Sequence, residues 1–369
     1  MKFILISPKN RTVYNFRGNL IKELVSKGYE VVVTGPDLVS VDKICELGAR
    51  FRHIPMNKTG TSIKGDLQYY KTLKKLIKEE RPDVILSYTV KPVVYGTLAA
   101  KKAGVENINC MITGGGYTFT SKSFKARVLG SIVRFLYRKS LKNADHVIFQ
   151  NNDDKQEFLN RRLVSAEKCY VVNGSGVDLD KFKPTEYPQD VCFFMLSRLL
   201  KSKGVVEYLE AARKVKSVYA DVRFILLGKY EYEMQDAIEP DIVEKYINDR
   251  IVERYDETAD VISFYKMCSV YILPSYREGT PRTVLEAMAM ARPVITTDTN
   301  GCRDTVIDGL TGYLVPVKDA DKLAERMIEF IKEPKLIEKF GKASRLLCER
   351  KYDVIKVNNN MFKIMGIKE

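Results

Sequence analysis

Histidine is nearly absent from this chain: 369 residues hold only two, His53 and His146. Neither stands in a pattern with a serine or cysteine partner, so triad chemistry is not indicated. The seven cysteines are scattered, odd in number and without a C-x-x-C pair. That usage speaks against a disulfide framework or a zinc site and fits a reducing cytoplasm. No apolar run approaches the roughly 20 residues needed to cross a bilayer. Residues 1–8 carry too short an apolar core for a signal peptide and read as a first strand. A G-x-G-x-x-G motif is missing, which leaves a dinucleotide site poorly supported. No D-x-D lies beside an apolar strand to hold a metal-bound nucleotide. Neither a metal nor a cofactor is therefore expected.

What is present is ordinary in bulk and uneven in detail. Hydrophobic residues make up 45% and charged residues 29% of the chain, as in a soluble globular protein large enough for two full cores. The net charge is +14, and residues 1–180 hold 30 Lys+Arg against 17 Asp+Glu, whereas residues 181–369 hold 31 against 30. The first half is thus expected to meet something anionic: nucleic acid, anionic lipid or a phosphorylated substrate.

Short apolar runs alternate with helical periods. Strands are predicted at 2–6, 30–34, 83–87, 107–112 and 146–150, with helices near 18–26, 65–80, 92–103 and 121–142. After a stretch rich in Gly, Pro, Asp and Lys, the alternation restarts. Strands are predicted at 191–196, 222–227, 270–273 and 293–297, and helices at 204–216, 281–290, 320–332 and 336–349. Two successive βα arrays imply an α/β protein with two doubly wound parallel sheets and a ligand cleft between them. The expected domains are 1–175 and 190–352, joined by a linker at 176–189.

The most informative stretch is Ser275-Tyr276-Arg277-Glu278-Gly279-Thr280-Pro281-Arg282-Thr283-Val284-Leu285-Glu286. It follows a buried strand and enters a helix, with Thr280 expected as N-cap and Pro281 in the first helical position. Amides around Gly279 to Thr283 are suited to a phosphate. Glu286 lies roughly 8 Å beyond that point, so a ligand with polar groups at both ends is suggested. Upstream, Arg198 and Lys203 flank another predicted helix start, where two cations and backbone amides can converge on a phosphate. A solvated basic loop is the plainer alternative.

In the first half, Arg17-Gly18 is placed between the first strand and first helix, where Gly18 would let a backbone approach a ligand. Gly114-Gly115-Gly116-Tyr117 follows a predicted strand and favours a site over a plain loop. Thr89 and Lys91 end another strand, and Lys91 is placed to meet an acceptor phosphate or merely to start a helix. Residues 121–142 hold seven basic residues and no acid: Lys122, Lys125, Arg127, Arg134, Arg138, Lys139 and Lys142. With Phe124, Val128, Ile132, Phe135 and Leu136 at helical spacing, this reads as a basic amphipathic helix on an anionic membrane surface. The alternative is a half-buried helix with a solvated basic face.

These residues together resemble family 4 retaining glycosyltransferases of the GT-B fold. The carriers are Glu278-x7-Glu286, Arg198 with Lys203, Asn173-Gly174-Ser175-Gly176-Val177-Asp178, and the tail Gly301-Cys302-Arg303-Asp304 through Thr311-Gly312-Tyr313-Leu314-Val315-Pro316. The first half is similar to the branch that extends lipid-linked glycans for capsule, O-antigen or N-glycan assembly in bacteria. The resemblance implies two Rossmann-like domains facing a central cleft, with a last segment, about 353–369, crossing back to the first domain. It implies a hexosyltransferase that moves a sugar from a nucleotide diphosphate donor to a polyprenyl-diphosphate-linked saccharide. The donor is expected to be a UDP-hexose or UDP-N-acetylhexosamine.

Arg198 and Lys203 would bind the diphosphate, Glu278 the sugar hydroxyls, Gly279, Thr280, Pro281 and Arg282 the sugar and phosphate, and Glu286 the ribose. Gly18 would approach the donor phosphate. Arg17, Thr89, Lys91, Gly115, Gly116 and Tyr117 would line the acceptor side. Transfer would be metal-free, by front-face displacement, with Glu278, Arg198 and Lys203 as the catalytic set. The implied setting is cytoplasmic, peripheral on the inner membrane face, with no nucleic acid bound. Two other functions fit the same features: a nucleotide-sugar epimerase or hydrolase of this fold, and a non-catalytic basic scaffold on membrane or nucleic acid.

Overall fold

The computed structural model describes residues 1–57, 62–114, 124–234 and 236–368, and the side chains of 124–128 lie outside that description. The chain divides into two compact units, Met1–Ser175 with Val357–Glu369, and Gly176–Lys356.

The first unit is built on a parallel sheet of seven strands. They are β1 (Lys2–Ile6), β2 (Glu30–Gly35), β3 (Arg50–His53), β4 (Val84–Tyr88), β5 (Asn107–Ile112), β6 (His146–Phe149) and β7 (Cys169–Val171). Their spatial order is β3-β2-β1-β4-β5-β6-β7. The described helices of this unit are α1 (Asn10–Ser26), α2 (Val41–Cys45), α3 (Ile63–Glu80), α4 (Thr97–Ala103), α5 (Phe124–Leu141) and α6 (Asn152–Asn160). Residues Phe3 to Ile6 of β1 are all apolar and buried because both faces of the strand are covered. Phe3 and Leu5 pack with Leu20, Ile21 and Leu24 of α1, whereas Ile4 and Ile6 pack with Tyr69, Leu73 and Ile77 of α3. Val357, Met361, Phe362 and Met365 from the end of the chain complete the α1 face.

The second unit holds a parallel sheet of six strands. They are β8 (Cys192–Leu196), β9 (Arg223–Leu227), β10 (Glu253–Tyr255), β11 (Val270–Leu273), β12 (Val294–Thr297) and β13 (Gly312–Val315). They are ordered β10-β9-β8-β11-β12-β13. Its helices are α7 (Val205–Lys216), α8 (Pro240–Asn248), α9 (Ile262–Met267), α10 (Arg282–Ala289), α11 (Ala320–Lys332) and α12 (Lys335–Lys351). The last helix, α13 (Val354–Met365), passes from this unit into the first.

Three sequence expectations need correction. First, α1 begins at Asn10, so Arg17 and Gly18 lie inside a helix and not in the loop after β1. The polar run Asn10–Thr12 reads as a loop, yet Val13, Arg17, Leu20, Ile21 and Leu24 line one buried helical face. A Cβ added at Gly18 would only touch Leu47, at 3.7 Å. Gly18 therefore has no close backbone approach to offer a phosphate.

Second, residues 176–189 are not a free linker. Val177 and Phe182 belong to the second core. The fully buried Arg292 donates to Thr185 O at 3.1 Å, Thr185 Oγ1 at 2.8 Å and Glu186 O at 2.8 Å, and lies over the Tyr187 ring. At Gly176 a Cβ would come within 2.5 Å of Val354 Cα.

Third, α10 starts at Arg282 with Pro281 as its extended N-cap, one residue later than expected, and Thr280 is not the capping residue.

Candidate functional site

The second sheet delivers its loops to the carboxyl edge, where ligands of such sheets bind. β8 runs into Ser197–Leu200, a single 3₁₀ turn (Lys201–Lys203) and then α7. Gly204 makes this junction in the left-handed region, φ 74°, and a Cβ there would stand 2.1 Å from Pro274 O. Only glycine lets the start of α7 lie against the loop that leaves β11. Tyr276 N donates to Ser202 O at 2.9 Å, which ties the two loops together.

Within that junction Lys203 Nζ lies 2.5 Å from Glu278 Oε1, with side-chain exposures of only 19% and 15%. The cation and the carboxylate picked out by motif are thus direct partners. Arg198, on the same loop as Lys203, is exposed. A third loop braces Glu278 from behind. Glu278 N donates to Asn300 O at 3.0 Å, and Gly301, φ 76°, sits so close that a Cβ would be 2.4 Å from Glu278 O and 2.3 Å from Gly279 O.

Glu286 occupies a separate niche on α10. Its Oε1 accepts from Arg282 Nε at 3.2 Å and its Oε2 from the Tyr265 hydroxyl at 3.2 Å. Burial raises its pKa above the ordinary carboxylate value, and the neighbouring Arg282 opposes that rise. Arg282 also donates from Nη1 to Gly176 O at 2.6 Å. The side chain is therefore committed within the protein, to Glu286 and Gly176. Each of the two carboxylates thus has its own cation. The site can exchange those partners for the phosphate and hydroxyl groups of an elongated polar ligand.

Sequence reading missed Tyr265, Ser202 and Asn300. All three act through the tertiary arrangement, and no local pattern marks them. Gly301 stands in the tail motif, whose spacing gives no sign of its packing role.

The first-unit candidates are less coherent. Arg17 is 3% exposed and donates from Nη2 to Met111 Sδ at 2.7 Å, with its guanidinium over the Tyr88 ring. It thus reaches the carboxyl ends of β4 and β5, next to Thr89, which adopts φ 68°. Lys91 lies on the other face of the sheet. It pairs with Asp66 at 2.6 Å, whose second oxygen accepts from the Tyr95 hydroxyl at 3.0 Å. Of the two roles open to Lys91, an acceptor-phosphate contact or a helix start, it takes the helix-start position before Pro92, and its amine is ion-paired. Gly115, Gly116, Tyr117 and Lys122 lie outside the described residues, as do the side chains of Lys125 and Arg127.

On α5, Val133, Tyr137 and Leu141 face the core. Ile132 and Phe135, two residues of the apolar stripe, are 51% and 60% exposed. Arg138 caps the end of α6, donating to Arg162 O at 3.0 Å and Arg161 O at 3.2 Å. Arg134 donates to Ser131 Oγ at 2.8 Å, and Lys142 is exposed.

Comparison with known proteins agrees with this architecture. A family model described as glycosyl transferases group 1 matches residues 177–347, and one described as glycosyl transferase 4-like matches residues 3–151. The chain belongs to the family 4-like, group 1 glycosyltransferases, and it is a hexosyltransferase of the GT-B fold.

Among curated relatives, one is the Campylobacter jejuni N,N'-diacetylbacillosaminyl-diphospho-undecaprenol alpha-1,3-N-acetylgalactosaminyltransferase. It is 27% identical over 350 residues, covering 91% of each chain. Another is the Escherichia coli UDP-Gal:alpha-D-GlcNAc-diphosphoundecaprenol alpha-1,3-galactosyltransferase, 25% identical over 82% of this chain and 80% of its own. Among solved structures, Anabaena HepE in complex with UDP and glucose superposes with a TM-score of 0.79 at 16% identity, covering 99% of both chains. Sucrose-phosphate synthase from Thermosynechococcus elongatus gives 0.83 at 18% identity, covering 99% of this chain and 98% of its own.

Proposed function

We propose that this glycosyltransferase moves a hexose or N-acetylhexosamine from a UDP-sugar to a saccharide carried on polyprenyl diphosphate, with retention at the anomeric carbon. The observation that carries the proposal is the Lys203–Glu278 pair beside a separate, enclosed Glu286. One niche suits the diphosphate and sugar, and the other suits the ribose. The relatives named for undecaprenyl-diphosphate-linked acceptors support the acceptor class.

In this reading Lys203 and Arg198 take the diphosphate and stabilise the charge that develops as UDP departs. Glu278, released from Lys203, accepts hydrogen bonds from sugar hydroxyls. Glu286 accepts from the ribose. The acceptor hydroxyl attacks from the face that UDP leaves, and its proton passes to a phosphate oxygen. Charge neutralisation comes from the two side chains and backbone amides, so the reaction is assigned no metal. The first unit holds the acceptor near Arg17 and Thr89.

The enzyme works from the inner membrane face and binds no nucleic acid. Ile132 and Phe135, exposed beside Arg134 and Lys139 on α5 and Lys142 just after it, support peripheral contact with anionic lipid. The test is a panel of UDP-sugars with a polyprenyl-diphosphate-linked acceptor, read as UDP release and lipid-linked product. Donor consumption that proceeds equally without acceptor would favour an epimerase or hydrolase.

A further inference from the structure

Glu207 is a buried carboxylate that neither the fold nor the motif accounts for. It stands at the third position of α7, where a glutamate commonly bonds back to the N-cap amide. Here the amide of Gly204 is already taken by Lys201 O at 3.0 Å. Glu207 turns instead toward the donor loop, and its Oε1 accepts from the Tyr276 hydroxyl at 2.6 Å. Its other oxygen is buried without a partner among the described residues, and the residue is 8% exposed. Burying a carboxylate with one hydrogen bond costs stability, and an apolar side chain would pack there more cheaply. The arrangement is therefore poorly explained as a stability device.

Tyr276 itself is held on every side. Its N–H donates to Ser202 O at 2.9 Å, its carbonyl accepts from Thr299 Oγ1 at 3.0 Å, and Lys318 Nζ lies 5.2 Å from its ring centroid. It is two residues before Glu278. Ser275 Oγ also donates to Ser202 O at 3.2 Å, and the Lys203–Glu278 pair ties the segment through Glu278 itself; that pair must open when Lys203 turns to the diphosphate.

We infer that Glu207 and Tyr276 are positioning residues that keep Glu278 at the donor sugar after Lys203 has left it. The inference rests on the donor-site reading above. Glu207 anchors the phenol to α7, the phenol anchors the loop, and the loop keeps its geometry while the ion pair exchanges partners. Contacts to UDP alone stand outside the clamped loop, because Arg198 and Lys203 lie on the β8–α7 junction and Glu286 is held by Arg282 and Tyr265.

The test compares Tyr276→Phe, Glu207→Leu and Glu207→Gln in the full chain. Binding of UDP is measured, and so are binding and turnover of whichever of UDP-glucose, UDP-galactose, UDP-N-acetylglucosamine and UDP-N-acetylgalactosamine stabilises the wild type. Tyr276→Phe and Glu207→Leu should each lower kcat/KM by about tenfold, the scale of one hydrogen bond to a charged group. UDP affinity should stay unchanged, and the double variant should be no worse than either single one. Glu207→Gln keeps an acceptor oxygen and should retain most turnover. Unchanged turnover in Tyr276→Phe overturns the clamp, as does an equal loss of UDP and UDP-sugar affinity, or Glu207→Gln behaving like Glu207→Leu. Glu278→Ala separates the two ideas: if it leaves turnover intact, the donor-site reading itself fails. If no sugar nucleotide of the panel stabilises the wild type, that reading fails as well.

Discussion

Lys203 Nζ and Glu278 Oε1 stand 2.5 Å apart, so the cation assigned to the donor diphosphate and the carboxylate assigned to the donor sugar neutralise one another. In the proposed function the donor separates them, and the two side chains then act as one unit. Lys203→Ala is expected to lower kcat/KM by about 10²-fold, the usual scale for removing one group that stabilises a leaving anion. Glu278→Ala should cost a similar factor. The double variant should fall well short of the product of the two, because groups that share one function are not additive. Additive losses in steady-state UDP release would contradict the pairing.

Glu286 carries a signature in pH. Burial raises its pKa, so the folded protein favours its protonated form. Its contribution to folding stability is present at low pH and is lost as pH rises through the raised value. Donor binding has the opposite dependence, because ribose hydroxyls need the ionised acceptor. UDP affinity should therefore weaken as pH falls, beginning above the ordinary carboxylate range. Glu286→Gln should flatten that profile while leaving Tm at pH 7 unchanged or raised. A profile of unaltered shape in the variant would assign the titration elsewhere.

Two glycines make opposite predictions. Gly18 is helical, with room for a methyl group, so Gly18→Ala should keep full activity and gain about 0.5–1 kcal/mol of stability. Gly301 has φ 76° and sits on the carbonyls of Glu278 and Gly279. Gly301→Ala should displace the donor loop and lower kcat/KM by about tenfold or more. Urea denaturation alongside UDP-release kinetics checks both.

Membrane contact through α5 is tested by flotation with anionic liposomes. Replacing Arg134, Lys139 and Lys142 by Gln should reduce binding, with about 1 kcal/mol expected per basic residue near the surface. Phe135→Ser should reduce it further without raising salt sensitivity. Arg138 is left intact because it bonds the carbonyls of Arg161 and Arg162. Binding that persists in the combined variant would remove α5 from the contact surface.

The strands legible in sequence were the interior ones, β1, β2, β4, β5 and β6 in one sheet and β8, β9, β11 and β12 in the other. The four that escaped, β3, β7, β10 and β13, are the edge strands of the two sheets. An interior strand is covered on both faces and is largely apolar, as in Val270–Leu273. An edge strand such as Arg50–His53 faces solvent and is free to be polar. The start of α1 was hidden for a related reason: its first turn is polar, and its buried face shows only when Val13 and Arg17 join Leu20 and Leu24.

By itself, the sequence determined the class of architecture and the residue types of the proposed donor loop. Alternating apolar runs and helical periods demand covered parallel sheets, and Glu278, Glu286, Arg198 and Lys203 stand in recognisable spacing. Tertiary structure decided who holds whom. It paired Lys203 with Glu278, committed Arg282 to Glu286 and Gly176, engaged Lys91 with Asp66, and turned Glu207 onto Tyr276. Spacing along a chain records local periodicity, whereas these partners lie 4 to 106 residues apart. Most are brought together only when loops from different strands meet at one sheet edge.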